Sequence, residues 1–285
     1  MITRLFLPLS IAGLLANCSV LIDVDGKQCT NDRDCAALGA AFSGSVCEQN
    51  LCVKPSDTTG GEAGGSSLPD PLLCEPTELS TEPTVKYSFA PVYAPGAEPT
   101  EPKPFTIKAC GTLDLACEHP VFGPLEVNAG EPQDFLVKPG FAGYFEIKNP
   151  DTLDGLLFLG RPVNADTVGW NVTMPTPAVV AGLALATGED ISLDLGFILS
   201  VARDCSGTLL EHVAFNSSKG GLGYYFVMNL PDTSLTQTGP QGAAGYANVP
   251  ISTTILTGMH ESGKALGPVS VRVKPNTLSF AEIWP

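Results

Sequence analysis

Apolar and polar residues alternate with a period of two in several short stretches. Val85-Lys86-Tyr87-Ser88-Phe89 is one, Ile191-Ser192-Leu193-Asp194-Leu195 a second, and Val269-Ser270-Val271-Arg272-Val273 a third. Successive side chains of an extended chain point to opposite faces, so each stretch predicts a half-buried strand. Pro275-Asn276 marks a turn, and Thr277 to Trp284 reads as a final strand. One helix is predicted, with Thr176 as its cap, Pro177 at its first position and Gly188 at its end. Long amphipathic helical patterns are nearly lacking, while Gly (30) and Pro (25) exceed ordinary usage. Short apolar stretches divided by turn residues predict an all-β fold of the sandwich kind, and 285 residues leave room for two such domains.

The start of the chain follows another pattern. Arg4 precedes a run from Leu5 to Ala16 that is mostly apolar and too short to cross a bilayer. A basic start, a short apolar stretch and small residues are the shape of a signal peptide, here residues 1–17. The run ends in Leu15-Ala16-Asn17-Cys18-Ser19, which resembles the lipobox of bacterial lipoproteins. That resemblance implies lipidation of Cys18, a tether over 18–28, and a membrane partner held through the lipid. Ser19 after the lipid site is similar to the outer-membrane default of such proteins. An ordinary secretory signal with an incidental cysteine is the alternative.

There are nine cysteines. Assigning Cys18 to lipid leaves an even number, as expected of an exported chain in an oxidising compartment. Cys29, Cys35, Cys47 and Cys52 fall in a module, residues 29–53, too small to bury a core and therefore dependent on crosslinks. Of the three possible pairings, Cys29–Cys47 with Cys35–Cys52 is the expected one. The spacing contains no Cys-x-x-Cys pair and no nearby histidine, so no metal is expected there. The module resembles the cysteine-rich modules of bacterial surface lipoproteins that are likened to the Dickkopf N-terminal or EGF type. Residues 54–73, rich in Gly, Ser and Pro, read as a flexible linker.

The body carries an internal repeat. Thr106-Ile107-Lys108-Ala109-Cys110 recurs loosely as Val201-Ala202-Arg203-Asp204-Cys205, and Phe141-Ala142-Gly143-Tyr144-Phe145 as Ala243-Ala244-Gly245-Tyr246-Ala247. A period of about a hundred residues is one sandwich domain, not a solenoid unit. Asp204-Cys205-Ser206-Gly207, Gly245-Tyr246-Ala247-Asn248-Val249-Pro250 and the closing Val-Arg-Val hairpin resemble the carboxypeptidase-regulatory-like, or transthyretin-like, sandwich. Such domains are usually accessory, and the resemblance implies no peptidase activity. The expected organisation is a first sandwich over 74–165, a connection with the helix over 166–196, and a second sandwich over 197–285. The fold class is thus all-β: two tandem Greek-key-type sandwiches behind a small disulfide-rich module and linker. In the repeat Cys205 matches Cys110, but His212 stands where Cys117 would recur. Elimination then pairs Cys110 with Cys117 and Cys74 with Cys205; Cys74–Cys110 and free thiols remain open.

A formal charge of −15 argues against nucleic-acid partners, which need basic patches. The three histidines, His119, His212 and His260, occupy no zinc or triad spacing. There is no nucleophile elbow, P-loop or dinucleotide fingerprint, and Asp23-Val24-Asp25-Gly26 lacks the later ligands of a calcium loop. No catalytic residue, metal or cofactor is expected. Tyr224-Tyr225-Phe226 is an aromatic run on a predicted strand; either core packing or an exposed binding platform explains it. The reading is a non-catalytic envelope protein with a structural or adhesive role, binding a protein or glycan partner. A small-ligand carrier with a site between the sandwiches is the alternative, and a hydrolase with an unrecognised site the third.

Overall fold

The computed structural model describes residues 31, 33, 46–48, 51–53, 70–227 and 230–285. Cys18, Cys29, Cys35 and most of the linker lie outside them. The chain divides into two units, Met1–Ser66 and Ser67–Pro285. In the first, β1 (Val46–Glu48) and β2 (Leu51–Val53) form an antiparallel hairpin with Cys47 opposite Cys52. Cys47 is disulfide-bonded.

The second unit is β-rich with one described helix, α1 (Pro177–Thr187). Its strands are β3 (Val85–Phe89), β4 (Pro91–Tyr93), β5 (Phe105–Cys110), β6 (Phe122–Val127), β7 (Gln133–Val137), β8 (Tyr144–Lys148), β9 (Asp154–Phe158), β10 (Thr167–Val168) and β11 (Val172–Met174). After the helix come β12 (Gly196–Ala202), β13 (Val213–Ser217), β14 (Leu222–Val227), β15 (Leu230–Asp232), β16 (Ala243–Val249), β17 (Thr253–His260), β18 (Ala265–Arg272) and β19 (Thr277–Ile283).

Nine of these strands share one sheet, in the order β15-β14-β16-β12-β19-β9-β8-β5-β6. Neighbours are antiparallel except β19, which runs parallel to both β12 and β9. The two repeats therefore meet edge to edge and fuse across β19. The sheets β10-β3-β7 and β11-β4 cover one face, with β3 against β7 antiparallel. Their core joins Tyr87, Phe89 and Phe135 to Phe145 and Ile147 of the large sheet, and reaches Leu278 and Phe280 of β19. Aromatic ring centroids here lie 4.7–5.3 Å apart, each pair adding about 1 kcal/mol beyond area burial. The sheet β13-β17-β18 covers the opposite face, with Ile198, Ala281, Ile283, Leu256 and Val271 in a second core. At β19 the two cores overlap on opposite faces, so all seven of its residues are buried. Parallel central strands are commonly buried on both sides in this way.

The repeat has a structural counterpart. β5 pairs antiparallel with β8, and β12 with β16. Cys117 and His212, the matched positions, both adopt positive φ, 53° and 57°.

Three local expectations change. Ile191–Leu195 forms a turn rather than a strand: Leu195 N–H donates to the Ser192 carbonyl, and the Asn248 side chain binds the segment through Ser192 N–H and the Asp190 carbonyl. These local and long-range bonds replace the ladder that alternation alone suggests. Residues 167–174, assigned to the connection, instead complete the first core, β10 pairing with β3 and β11 with β4, both in parallel. Helix α1 starts at Pro177 and ends at Gly188 in the left-handed region, but Thr176 makes no side-chain capping bond.

Candidate functional site

Two disulfides are described in the body. Cys110–Cys117 closes a short loop and is sealed, its sulfurs belonging to residues 0% and 2% exposed. The loop is tied down by Asp114, whose carboxylate accepts the N–H groups of Glu118 and His119, while Tyr144 O–H donates to its carbonyl. These bonds, His119's first, hold the Asp114 carboxyl below its ordinary pKa. Cys74–Cys205 spans 131 residues, and Cys74 is exposed. Beside it Cys205 N–H donates to the Pro71 carbonyl, and Lys264 pairs with Asp70.

The aromatic run does not form an exposed platform. Tyr224 and Tyr225 are 7% and 8% exposed, and Phe226 is half-buried. The cause is the coverage of both faces of the large sheet: Tyr224 belongs to the first core and Tyr225 to the second. On one face Tyr224 crosses its pair partner Gly245; on the other Tyr246 crosses Gly223.

What the run does build is a groove. At Ser217–Gly220 the chain turns from the three-stranded sheet to the nine-stranded one, Gly220 and Gly221 taking positive φ (73° and 112°) that a side chain would strain. The two sheets diverge there around a groove of about 370 Å³, lined by Phe215, Asn216, Tyr225, Leu235 and Tyr246. Phe215 N–H donates to the Tyr225 oxygen across the sheets at 3.0 Å, leaving the phenolic hydrogen free to donate. Burial raises the phenol pKa values of Tyr224, Tyr225 and Tyr246. They therefore remain protonated donors at neutral pH. No carboxylate, imidazole or thiol is among the lining residues. The arrangement can exchange hydrogen bonds with hydroxyl or amide groups. Of the aromatic run, Tyr224 and Tyr225 line the groove and Phe226 does not; Phe215, Asn216 and Tyr246 come from other segments, with the Gly-Tyr pairs of β14 and β16 as their one signal in the sequence.

Several charged residues elsewhere form ion pairs. Glu146, 5% exposed, is reached by Lys108, Lys148 and Lys274 at 3.4–3.8 Å. Arg203 Nε donates to Glu282 at 2.9 Å and its Nη1 to the Gly207 carbonyl. His212 is exposed between Glu211 and Glu261, 3.9 and 3.8 Å away, and His260 meets Ser262. Among the described residues no three His, Cys, Asp or Glu side chains form a metal-holding group. No described helix is long and apolar enough to cross a membrane.

No family model matches the chain, and no curated protein matches it. Among solved structures it is similar to the shaft pilin SpaA of Lactobacillus rhamnosus GG, with 12% identity, a TM-score of 0.22, and coverage of 70% of this chain and 97% of that one. It is similar also to a streptococcal ancillary pilin, at 13% identity and TM-score 0.22, covering 72% of this chain and 63% of that one. The major pilin subunit BcpA of Bacillus cereus matches at 14% identity and TM-score 0.20, covering 71% and 70%.

Proposed function

We propose that the chain is a non-catalytic, exported surface protein, held to a membrane by lipid on Cys18, that binds a glycan partner through the Phe215–Tyr246 groove. The groove itself carries the reading. Packed aromatic side chains give the groove a pre-formed wall, and its phenol and amide groups match sugar hydroxyls. The lining residues include no acid–base pair of the kind hydrolysis requires. Two disulfides in the body support an oxidising compartment outside the cytoplasm. A structural or adhesive role fits a binding surface on a disulfide-stapled β body.

A glycan array probed with the purified body tests the reading. A reproducible set of bound saccharides, weakened by Tyr246→Phe, which removes the hydroxyl and keeps the packed ring, and by Asn216→Ala, each without loss of thermal stability, is the expected result. Unaltered array binding in both variants would place the partner elsewhere; capture of a protein instead would make the partner a polypeptide. Anchoring is tested separately, by mass spectrometry of the N-terminal peptide for acyl groups on Cys18.

A further inference from the structure

A second cleft lies in the same unit, remote in sequence from the tyrosine groove. It measures about 370 Å³ and is lined by Cys74–Thr77, Gly160–Pro162, Asn164, Gly267–Pro268 and Trp284–Pro285. Its wall at Cys74–Thr77 is fixed by the Cys74–Cys205 disulfide and by Asn164, whose side chain donates to the Thr77 carbonyl at 2.8 Å. The guanidinium of Arg161 stacks over the Trp284 ring, 3.6 Å from its centroid. Trp284 is 9% exposed, so the ring is a fixed support.

Arg161 differs from the ion-paired cations of the body. Lys86, Lys108, Lys148, Arg203, Lys264 and Lys274 each stand against a carboxylate. Among the described residues no carboxylate lies within ion-pair distance of Arg161, whose residue is solvent-exposed; Glu282, the nearest acidic influence on it, acts from farther off and is bonded to Arg203. A guanidinium stacked by its face on an indole keeps its N–H edge free and pre-oriented. That planar fork matches the two oxygens of a carboxylate. Pro76, Pro162 and Pro268 supply apolar surface beside it, and Glu75 is the one acidic side chain of the lining. Gly160 permits the close packing: a side chain there would collide with the Glu282 carbonyl and with Trp284.

We propose that this cleft binds a small organic acid, its carboxylate held by the edge of Arg161 and its apolar body against the prolines. The site is independent of the tyrosine groove and of any glycan partner.

Benzoate is the probe, with benzamide as its uncharged isostere, followed in ¹H–¹⁵N spectra of the ¹⁵N-labelled body. The expected result is saturable shifts at the Trp284 indole and the Gly160 and Arg161 amides with benzoate but not benzamide. Arg161→Gln is expected to weaken the affinity by about tenfold or more, and Arg161→Lys, which keeps charge but loses the fork, by an intermediate factor. Glu75→Gln, which removes the acidic side chain, is expected to tighten it. The same spectra report whether each variant is folded. Equal shifts with benzamide, or unaltered affinity in a folded Arg161→Gln, overturns the proposal. Binding of inorganic phosphate in place of benzoate overturns the choice of a carboxylate.

Discussion

Tyr224 lies across Gly245 on one face of the nine-stranded sheet, as Tyr246 lies across Gly223 on the other. The aromatic ring of each pair fills the space that its glycine partner leaves empty. A methyl group at 245 would fall inside the Tyr224 ring, whereas at 223 it would press on Tyr246 at 3.3 Å. Gly245→Ala is expected to destabilise the body by about 1–3 kcal/mol through overpacking, and Gly223→Ala by less. Gly182→Ala, in α1 with nothing near its added methyl, is expected to stabilise by about 0.5–1 kcal/mol. Urea denaturation of the three variants checks the order and the change of sign.

The two disulfides should differ in both worth and reactivity. In the chain-entropy account, closing a loop of 131 residues stabilises by about 4–5 kcal/mol and one of seven by about 2–3 kcal/mol. Cys74→Ser with Cys205→Ser is therefore expected to lower stability more than Cys110→Ser with Cys117→Ser. Reductant should open the accessible Cys74–Cys205 bond first, because attack requires a thiolate to reach the sulfur. Alkylation after graded reduction, read by peptide mass spectrometry, tests this; earlier labelling of Cys110 would contradict it.

Glu282 is 6% exposed, and burial raises its carboxyl pKa while Arg203 opposes that rise. A carboxyl whose folded pKa lies above its unfolded value favours the folded state when protonated. Stability is then lost as pH climbs from about the unfolded value of 4.5 through the folded one. Removing Arg203 raises the folded value further and leaves a buried carboxylate unpaired. Arg203→Met is expected to cost about 3 kcal/mol at pH 8 and clearly less at pH 5. Equal losses at both pH values in chemical denaturation would refute the assignment.

Asp114 behaves in the opposite sense. Its carboxyl pKa is lowered by the N–H groups of His119 and Glu118, so its contribution is present above the unfolded value and fades as pH falls through the folded one. Asp114→Asn is expected to lower Tm at pH 7, with the difference from the parent shrinking below about pH 4. Calorimetric scans across that range decide it.

Much of the strand content was legible. Val85–Phe89 alternates because one face meets the first core and the other meets solvent, and β3 follows it residue for residue. The segment from Thr277 reads as a strand because it is apolar and follows a turn. The same alternation misled at Ile191–Leu195, where the side chain of Asn248, distant in sequence, sets the backbone. Nothing local announces that β19 pairs with β9, since their partners lie more than a hundred residues apart, or that the sandwiches share a sheet. The run at Tyr224–Phe226 could not reveal its own burial, because two separate layers cover it. Arg161 gave no signal either; its significance arises only where the fold brings Trp284 beneath it.

The place of β19 also governs timing. Of the strands of this body it is the last in sequence and yet the central one of the nine-stranded sheet, with β9 on one side and β12 on the other. An emerging polypeptide usually folds its leading part first. Here the leading part holds an open seam until Thr277–Ile283 arrives to close it. Assembly of this body must therefore wait until Thr277–Ile283 has left the ribosome. Until then β9 and β12 each present an unpaired edge, open to pairing with another chain.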